Sequence, residues 1–134
     1  MKTTFIIAIL SLFGVGTVTA GNAISLLKID KVREYLQLNP EQYKNIHSAV
    51  KQIKNILEED KKIIDAMKER VTNGDEPGLF EKMSTKRGRG SRIDAIEDLI
   101  EEIEDQLSDE QKIKFKNIDK PVLKGLEKKE IFGE

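Results

Sequence analysis

The stretch YKNIHSAVKQIKNILEEDKKIIDAMKERV, residues 43 to 71, decides the fold. Its apolar positions run Tyr43, Ile46, Val50, Ile53, Leu57, then Ile64, Met67 and Val71, in steps of three and four. Asp60 fills the one slot of the series that is not apolar. A stripe of that period follows one face of an α-helix and requires a second helix packed beside it. Ala49, Ile56, Ile63 and Ala66 widen the stripe, which predicts contact with more than one neighbour. Pro40 suits the first helical position, and Asn73-Gly74 supplies a stop. One helix is therefore expected over about residues 40 to 72, roughly 50 Å long at 1.5 Å per residue.

A second seam, Ile93, Ile96, Ile100, Ile103 and Leu107, again advances by three and four, and Ser91 with Asp94 offers a capping box for its start. A shorter helix should follow with Ile113, Phe115 and Ile118, closed by Pro121. Upstream, residues 24 to 37 also read as helical, with Leu27, Val32 and Leu36 on one side. Between the seams lies TNGDEPGLFEKMSTKRGRGS, residues 72 to 91, whose glycines, proline and clustered polar residues predict a flexible basic loop. Loops of that length in a compact domain are either functional or disordered. Leu79, Phe80 and Met83 are placed to tack its middle onto the bundle as a short helical turn. Residues 121 to 134 are rich in Lys and Glu and read as a loosely held charged tail. The expected fold is all-α: a small helical bundle or hairpin with one long helix, a short N-terminal helix and two later helices.

The first 20 residues, MKTTFIIAILSLFGVGTVTA, carry one early positive charge at Lys2 and then an apolar run ending in small residues. That is the layout of a secretory signal peptide, with cleavage expected after Ala20 or after Ala23. The run is shorter than the ~20 residues a spanning helix needs, and Gly14 and Gly16 interrupt it, which disfavours an uncleaved anchor. Removing Lys2 takes the formal charge from −1 to −2, and the remaining chain suits one small domain, residues 21 to 120, followed by the tail. There are no cysteines, so packing rather than disulfides must hold the fold, and the lipid anchor of bacterial lipoproteins is excluded. The expected product is an exported protein with no stable membrane anchor after cleavage.

LNPEQ, residues 38 to 42, is echoed by LSDEQ, residues 107 to 111. Each copy stands where a helix is about to begin. Asn39 and Ser108 are N-caps whose side-chain oxygens accept the third residue's N–H. Gln42 and Gln111, three residues on, can reach back to the cap's own N–H. Leu38 precedes the first cap and can pack on Tyr43 as a hydrophobic staple. Leu107 has the weaker partner, because Lys112 stands where an apolar residue would be. Capping accounts for every residue type in both copies.

Paired motifs of the form L-T-x-x-Q, one before a long helix and one before a short late helix, mark the Spy/CpxP family of periplasmic proteins. The chain resembles that family through Leu38, Asn39, Gln42 and Leu107, Ser108, Gln111, over about residues 30 to 118. Asn39 and Ser108 replace the family's two threonines. The resemblance implies an all-helical, often dimeric, cradle-like protein without a cofactor, acting as an ATP-independent chaperone or as a modulator of envelope stress. Some relatives bind metal ions. It also implies a periplasmic location, or secretion if the source lacks a periplasm.

Enzyme chemistry finds little support in the residues. With one histidine and no cysteine, any nucleophilic triad would have to use His47, which flanks the long seam, and no G-x-x-x-x-G-K phosphate loop occurs. Asp94, Glu97, Asp98, Glu101, Glu102, Glu104 and Asp105 form an acidic face on which pairs one turn apart could share a hard cation. No EF-hand loop accompanies them, and a solvated face is the plainer reading, so no metal site is assigned. The basic segment Lys82, Lys86, Arg87, Arg89 and Arg92 has no interleaved aromatics to stack bases, and nucleic acid is not expected as a partner. With Leu79, Phe80 and Met83 it is the candidate surface for unfolded or partner proteins. Two other readings stay open: a helical interaction module, such as a homodimer, and a metal binder using the acidic face.

Overall fold

A computed structural model of the protein describes residues 23–124; residues 1 to 20, the expected cleavage site after Ala20 and the end of the charged tail lie outside that range, and Ala23, the second expected site, is its first residue. The described chain is all-α, with four helices: α1 Ile29–Leu36, α2 Pro40–Thr72, α3 Leu79–Asp105 and α4 Asp109–Phe115. Among the described residues the nearest thing to a strand is a single parallel bridge between Ser25 and Asp119. There Leu26 N–H donates to Asp119 O (2.9 Å) and Asp119 N–H donates to Ile24 O (2.8 Å), tying the segment before α1 to the segment after α4.

The seam of α2 faces inward as its period requires. Ile46, Val50, Ile53, Ile64 and Met67 are buried, Asp60 is buried among them, and Ala49 joins them on the same side. From α3 come Ile96 and Ile103, followed by Leu107. The core divides in two. The larger part gathers Leu26, Val32, Leu36, Ile46, Val50, Ile53, Ile96, Ile103, Leu107, Phe115 and Ile118, contributed by all four helices and their links. The smaller part holds only Ile64 and Met67, with Val71 packed against them. One end of the molecule is therefore a four-helix core, while beyond it the C-terminal half of α2 and the N-terminal half of α3 form an arm two helices thick.

Four expectations need correction. Helix α3 begins at Leu79, so residues 79 to 91 are helical and not a flexible loop, and Ser91 and Asp94 lie inside the helix instead of capping it. Residues 24 to 28 precede α1 in bridge and turn geometry, and Leu26, not Leu27, is the fully buried residue there. Ile113 of α4 is 65 % exposed, and Phe115 carries that helix's burial instead. The start of the expected tail is not loose. Pro121, Val122 and Leu123 line a shallow cavity with Ile93, Ile96 and Ile100, and Leu123 packs against the larger core. Lys120 anchors this segment by donating to the carbonyls of Phe115 (2.6 Å) and Ile118 (3.0 Å). Partial burial lowers its ammonium pKa.

The turn from α2 to α3 is held by Arg70, which pairs with Asp75 and with Glu81 in the first turn of α3. Glu81 also reaches back to the N–H of Gly78, the residue that caps α3. Gly74, at φ +84°, makes the left-handed turn that reverses the chain. The hydrogen bond from Arg70 and then the Gly78 N–H lower the Glu81 pKa below its ordinary value of 4.5. A depressed carboxylate stabilises the fold above the unfolded pKa, and that contribution is lost as pH falls through the folded one. Glu81→Gln should therefore melt slightly below the wild type at pH 7, with the two curves converging once the medium is well below the ordinary glutamate value. A difference that persisted in acid would assign the effect to something other than this ion pair.

Candidate functional site

The two echoed motifs meet in space. Asn39 Oδ1 accepts the Gln42 N–H (2.7 Å) while Gln42 Oε1 accepts the Asn39 N–H (3.0 Å). Ser108 Oγ and Gln111 repeat the exchange at 3.2 and 2.9 Å. Both capping boxes thus leave the glutamine Nε2 free to donate outward. Gln42 Nε2 donates to the backbone oxygen of Gln106, the C-cap residue of α3 (2.9 Å), and to Gln111 Oε1 (2.9 Å). Gln111 Nε2 donates to the oxygen of Leu36, the last residue of α1 (3.0 Å), and more weakly to Gln42 Oε1 (3.3 Å). Gln37, at φ 55°, turns the chain into the left-handed region and ends α1 there.

Each glutamine therefore joins the start of its own helix to the end of another, giving orphan carbonyls a donor they would otherwise lack. The capping role was readable from spacing. The cross-link was not, because a short motif carries no information on which helix ends will share one corner. Leu38 and Leu107 sit behind the clasp, Leu107 buried and Leu38 packed against the larger core.

The basic and apolar candidates divide by position on α3. Leu79, Phe80 and Met83, 71, 85 and 46 % exposed, occupy the first turns of the helix at the tip of the arm. Lys86 and Arg87 are exposed one turn further on. Lys82 is mostly covered and pairs with Glu76 at 3.2 Å. Arg89 and Arg92 turn the other way, toward α2, where their side chains are 13 % exposed. They converge on Asp60, whose side chain is 5 % exposed. Arg92 Nε donates to Oδ1 at 2.9 Å, and Arg89 Nη1 stands 3.9 Å from Oδ2.

The two arginines thus meet a carboxylate of α2 and not the acidic face of α3. Acidic and basic residues share one helix, and the buried carboxylate belongs to α2. A signal for this was present. Lys82, Thr85, Arg89 and Arg92 continue the Ile96 seam backward in steps of three and four, and Asp60 is the charged slot of the opposite seam. Thr85 is buried in that series, its hydroxyl donating to Glu81 O at 2.8 Å.

His47 is exposed and stacks at 5.6 Å against the Tyr43 ring, which in turn carries Arg33 over its face and hydrogen-bonds Asp30. The acidic residues of α3 are exposed apart from half-buried Glu104. Among the described residues no group of three or more histidine or acidic side chains is arranged to hold a metal ion. No described helix is long and apolar enough to cross a membrane. Compared with family models, with curated proteins and with solved structures, the chain matches none, so the Spy/CpxP resemblance stands on the motifs alone.

Proposed function

We propose that this is an exported, all-helical binding protein of the Spy/CpxP kind, acting without ATP or cofactor as a periplasmic chaperone or modulator of envelope stress. The observation that carries the reading is the tip of the arm. Three large apolar side chains, Leu79, Phe80 and Met83, stand exposed beside the cations Lys86 and Arg87, on a part of the molecule only two helices thick. Exposed apolar residues that adjoin one another on a helix face call for a partner. An unfolded acidic client offers both apolar segments and carboxylates, and steering by Lys86 and Arg87 raises its encounter rate.

The test is suppression of aggregation of a denatured acidic client by a several-fold molar excess of the protein. Suppression is expected, weaker in high salt as the screening length falls below about 8 Å. Arg89 is held by Asp60, so the informative variants are Lys86→Ser with Arg87→Ser, expected to slow capture several-fold, and Phe80→Ser with Met83→Ser, expected to weaken retention. Neither pair should move melting much, since all four side chains are exposed. Failure to suppress aggregation at any salt overturns the chaperone reading. Full activity in both variants moves the binding surface off the tip.

The interaction-module reading has its own support in the charge layout of α3, basic around Lys86 and Arg87 and acidic from Asp94 to Asp105. Two such helices laid antiparallel would pair opposite charges in a self-complementary contact. A dimer by sedimentation that dissociates in high salt, in a protein inactive toward clients, would favour that reading over the chaperone.

A further inference from the structure

We propose that Arg89 and Arg92 form a binding site for an oxyanion, a carboxylate or a tetrahedral phosphate- or sulfate-like group, where α3 faces α2 beside Asp60. The site lies behind the tip residues, on the face of α3 turned toward α2, and does not rest on the chaperone reading. The first observation is charge. Two guanidiniums, each 13 % exposed, share the single carboxylate of Asp60, and among the described residues neither has another ion pair. One positive charge is left over in surroundings where water screens it poorly, an arrangement that favours capture of an anion.

The second observation is the count of donors. Two guanidiniums offer roughly ten N–H groups. Arg92 uses one on Asp60 at 2.9 Å, and Arg89, at 3.9 Å, makes no hydrogen bond among the described residues. Arg89 Nε and Arg92 Nη2 are buried with no acceptor at all. Buried polar groups in folded proteins are nearly always hydrogen-bonded, and an orphaned pair at one place calls for a missing acceptor. The planar fork of arginine matches the paired oxygens of a carboxylate or phosphate.

The third observation is room. Gly88 and Gly90 flank Arg89 inside a helix, where glycine weakens the structure. A Cβ at Gly88 would stand 3.4 Å from Arg92 Nη1, so the bare backbone lets that guanidinium lie back along α3. A Cβ at Gly90 would meet nothing within 4 Å, leaving open space on that side of the helix. The RGRGSR run thus sets two forks against α2 next to helix backbone that carries no side chain at Gly88 and Gly90.

The test is a titration of the purified protein with inorganic phosphate, with sulfate and with a hexaglutamate peptide, at ionic strength held constant with sodium chloride. Melting midpoint and far-ultraviolet helicity are the readouts. Exclusion of sulfate or phosphate from the protein surface stabilises any fold gradually and in all variants alike. A bound ion instead adds a component that follows ligand occupancy and is specific to the site. That site-specific component is expected in the wild type and absent in Arg89→Gln and Arg92→Gln. Asp60→Asn keeps an acceptor for Arg92 but leaves both cations without a carboxylate, so the bound anion takes that place, and the anion-dependent gain in helicity and melting midpoint should be several-fold larger than in the wild type. Arg89→Lys keeps the charge without the fork. It is the variant to use should the glutamine forms fail to fold, and several-fold weaker binding is expected from it.

Stronger response to hexaglutamate than to phosphate identifies a polypeptide carboxylate as the ligand; the reverse identifies a small free oxyanion. Either supports the site. It is overturned if no site-specific component appears in the wild type or in Asp60→Asn up to about 50 mM anion, some ten times a low-millimolar dissociation constant. It is equally overturned if the component survives unchanged in both arginine variants. Loss of client capture with anion response intact would count against the chaperone reading only.

Discussion

Replacing Asp60 with alanine is expected to unfold the N-terminal half of α3 while the four-helix end of the molecule stays folded. The substitution leaves two guanidiniums, each 13 % exposed, with no carboxylate between them. Removing one partner of a buried ion pair costs about 3–5 kcal/mol, because the charge left behind is no longer compensated. Apart from the partly exposed ion pairs of Arg70 with Asp75 and Glu81 at the turn, little else holds the arm. Its core is Ile64 and Met67 with Val71, and its helix contains Gly88 and Gly90, each about 1 kcal/mol worse than alanine in a helix interior. The larger core lies elsewhere and loses nothing directly.

Local opening is therefore the cheaper response, and it caps the global loss below the full cost of the broken pair. Amide hydrogen exchange should show residues 79 to 92 losing protection in Asp60→Ala, with residues 96 to 105 retaining theirs. Helicity should fall by about the share of one half-helix. Replacing all three charged residues together, Asp60→Leu with Arg89→Met and Arg92→Met, should restore protection, since a buried ion cluster exchanged for packed apolar residues is often neutral or stabilising. Uniform protection in Asp60→Ala would show that the cluster does not hold the arm. Failure of the triple replacement to recover would show that charge compensation is not the reason it does.

The same segment shows where the sequence is legible and where it is not. The seam of α2 is apolar at nearly every inward position, so its period names the helix, its length and its buried face. The inward seam of the first half of α3 has the same period, but it is written in Lys82, Thr85, Arg89 and Arg92. Read by hydrophobicity it vanishes, and the glycines on the same turns imitate a loop. Propensity and tertiary structure disagree there, and the buried carboxylate on the neighbouring helix decides in favour of helix. The short segments before α1 and after α4 failed for a related reason. Their backbone partners are each other, through the Ser25–Asp119 bridge, and no local pattern announces a partner so distant in the chain.

The candidate surface was legible to a lesser degree than the fold. Leu79, Phe80 and Met83 were identifiable as surface candidates because they adjoin a basic segment, but the expectation that they tack that segment onto the bundle is corrected, since all three are exposed. Of the basic residues, Lys86 and Arg87 are exposed, whereas Arg89 and Arg92 face inward. Composition cannot sort these four. The register against Ile96 does, once the helix is known to continue.

The glutamine clasp gives the second large effect. Gln42→Ala removes the acceptor for the Asn39 N–H and the donor to Gln106 O, and it leaves Gln111 without its partner. With about 1 kcal/mol net for each good hydrogen bond, the loss should be about 2–3 kcal/mol, and Gln111→Ala should match it. If the two act as one unit, the double variant costs less than the two losses added. A coupling of about 1 kcal/mol is the expected outcome of the cycle; additivity would reduce the motifs to separate caps.

Gln42→Glu is the sharper test, because it keeps the capping acceptor and deletes only the outward donor. A carboxylate at this position faces two acceptors, Gln106 O and Gln111 Oε1, with nothing to donate. Its protonated form recovers one O–H, so the folded state favours the proton and the folded pKa rises above the unfolded value. A raised pKa means stability present at low pH and lost as pH climbs through it. The variant should therefore melt far below wild type at neutral pH and approach it as the medium becomes acidic, while Gln42→Ala keeps a constant deficit. Parallel behaviour of the two variants across pH would show that the outward amide bonds contribute nothing, and that the echo between the motifs is capping alone.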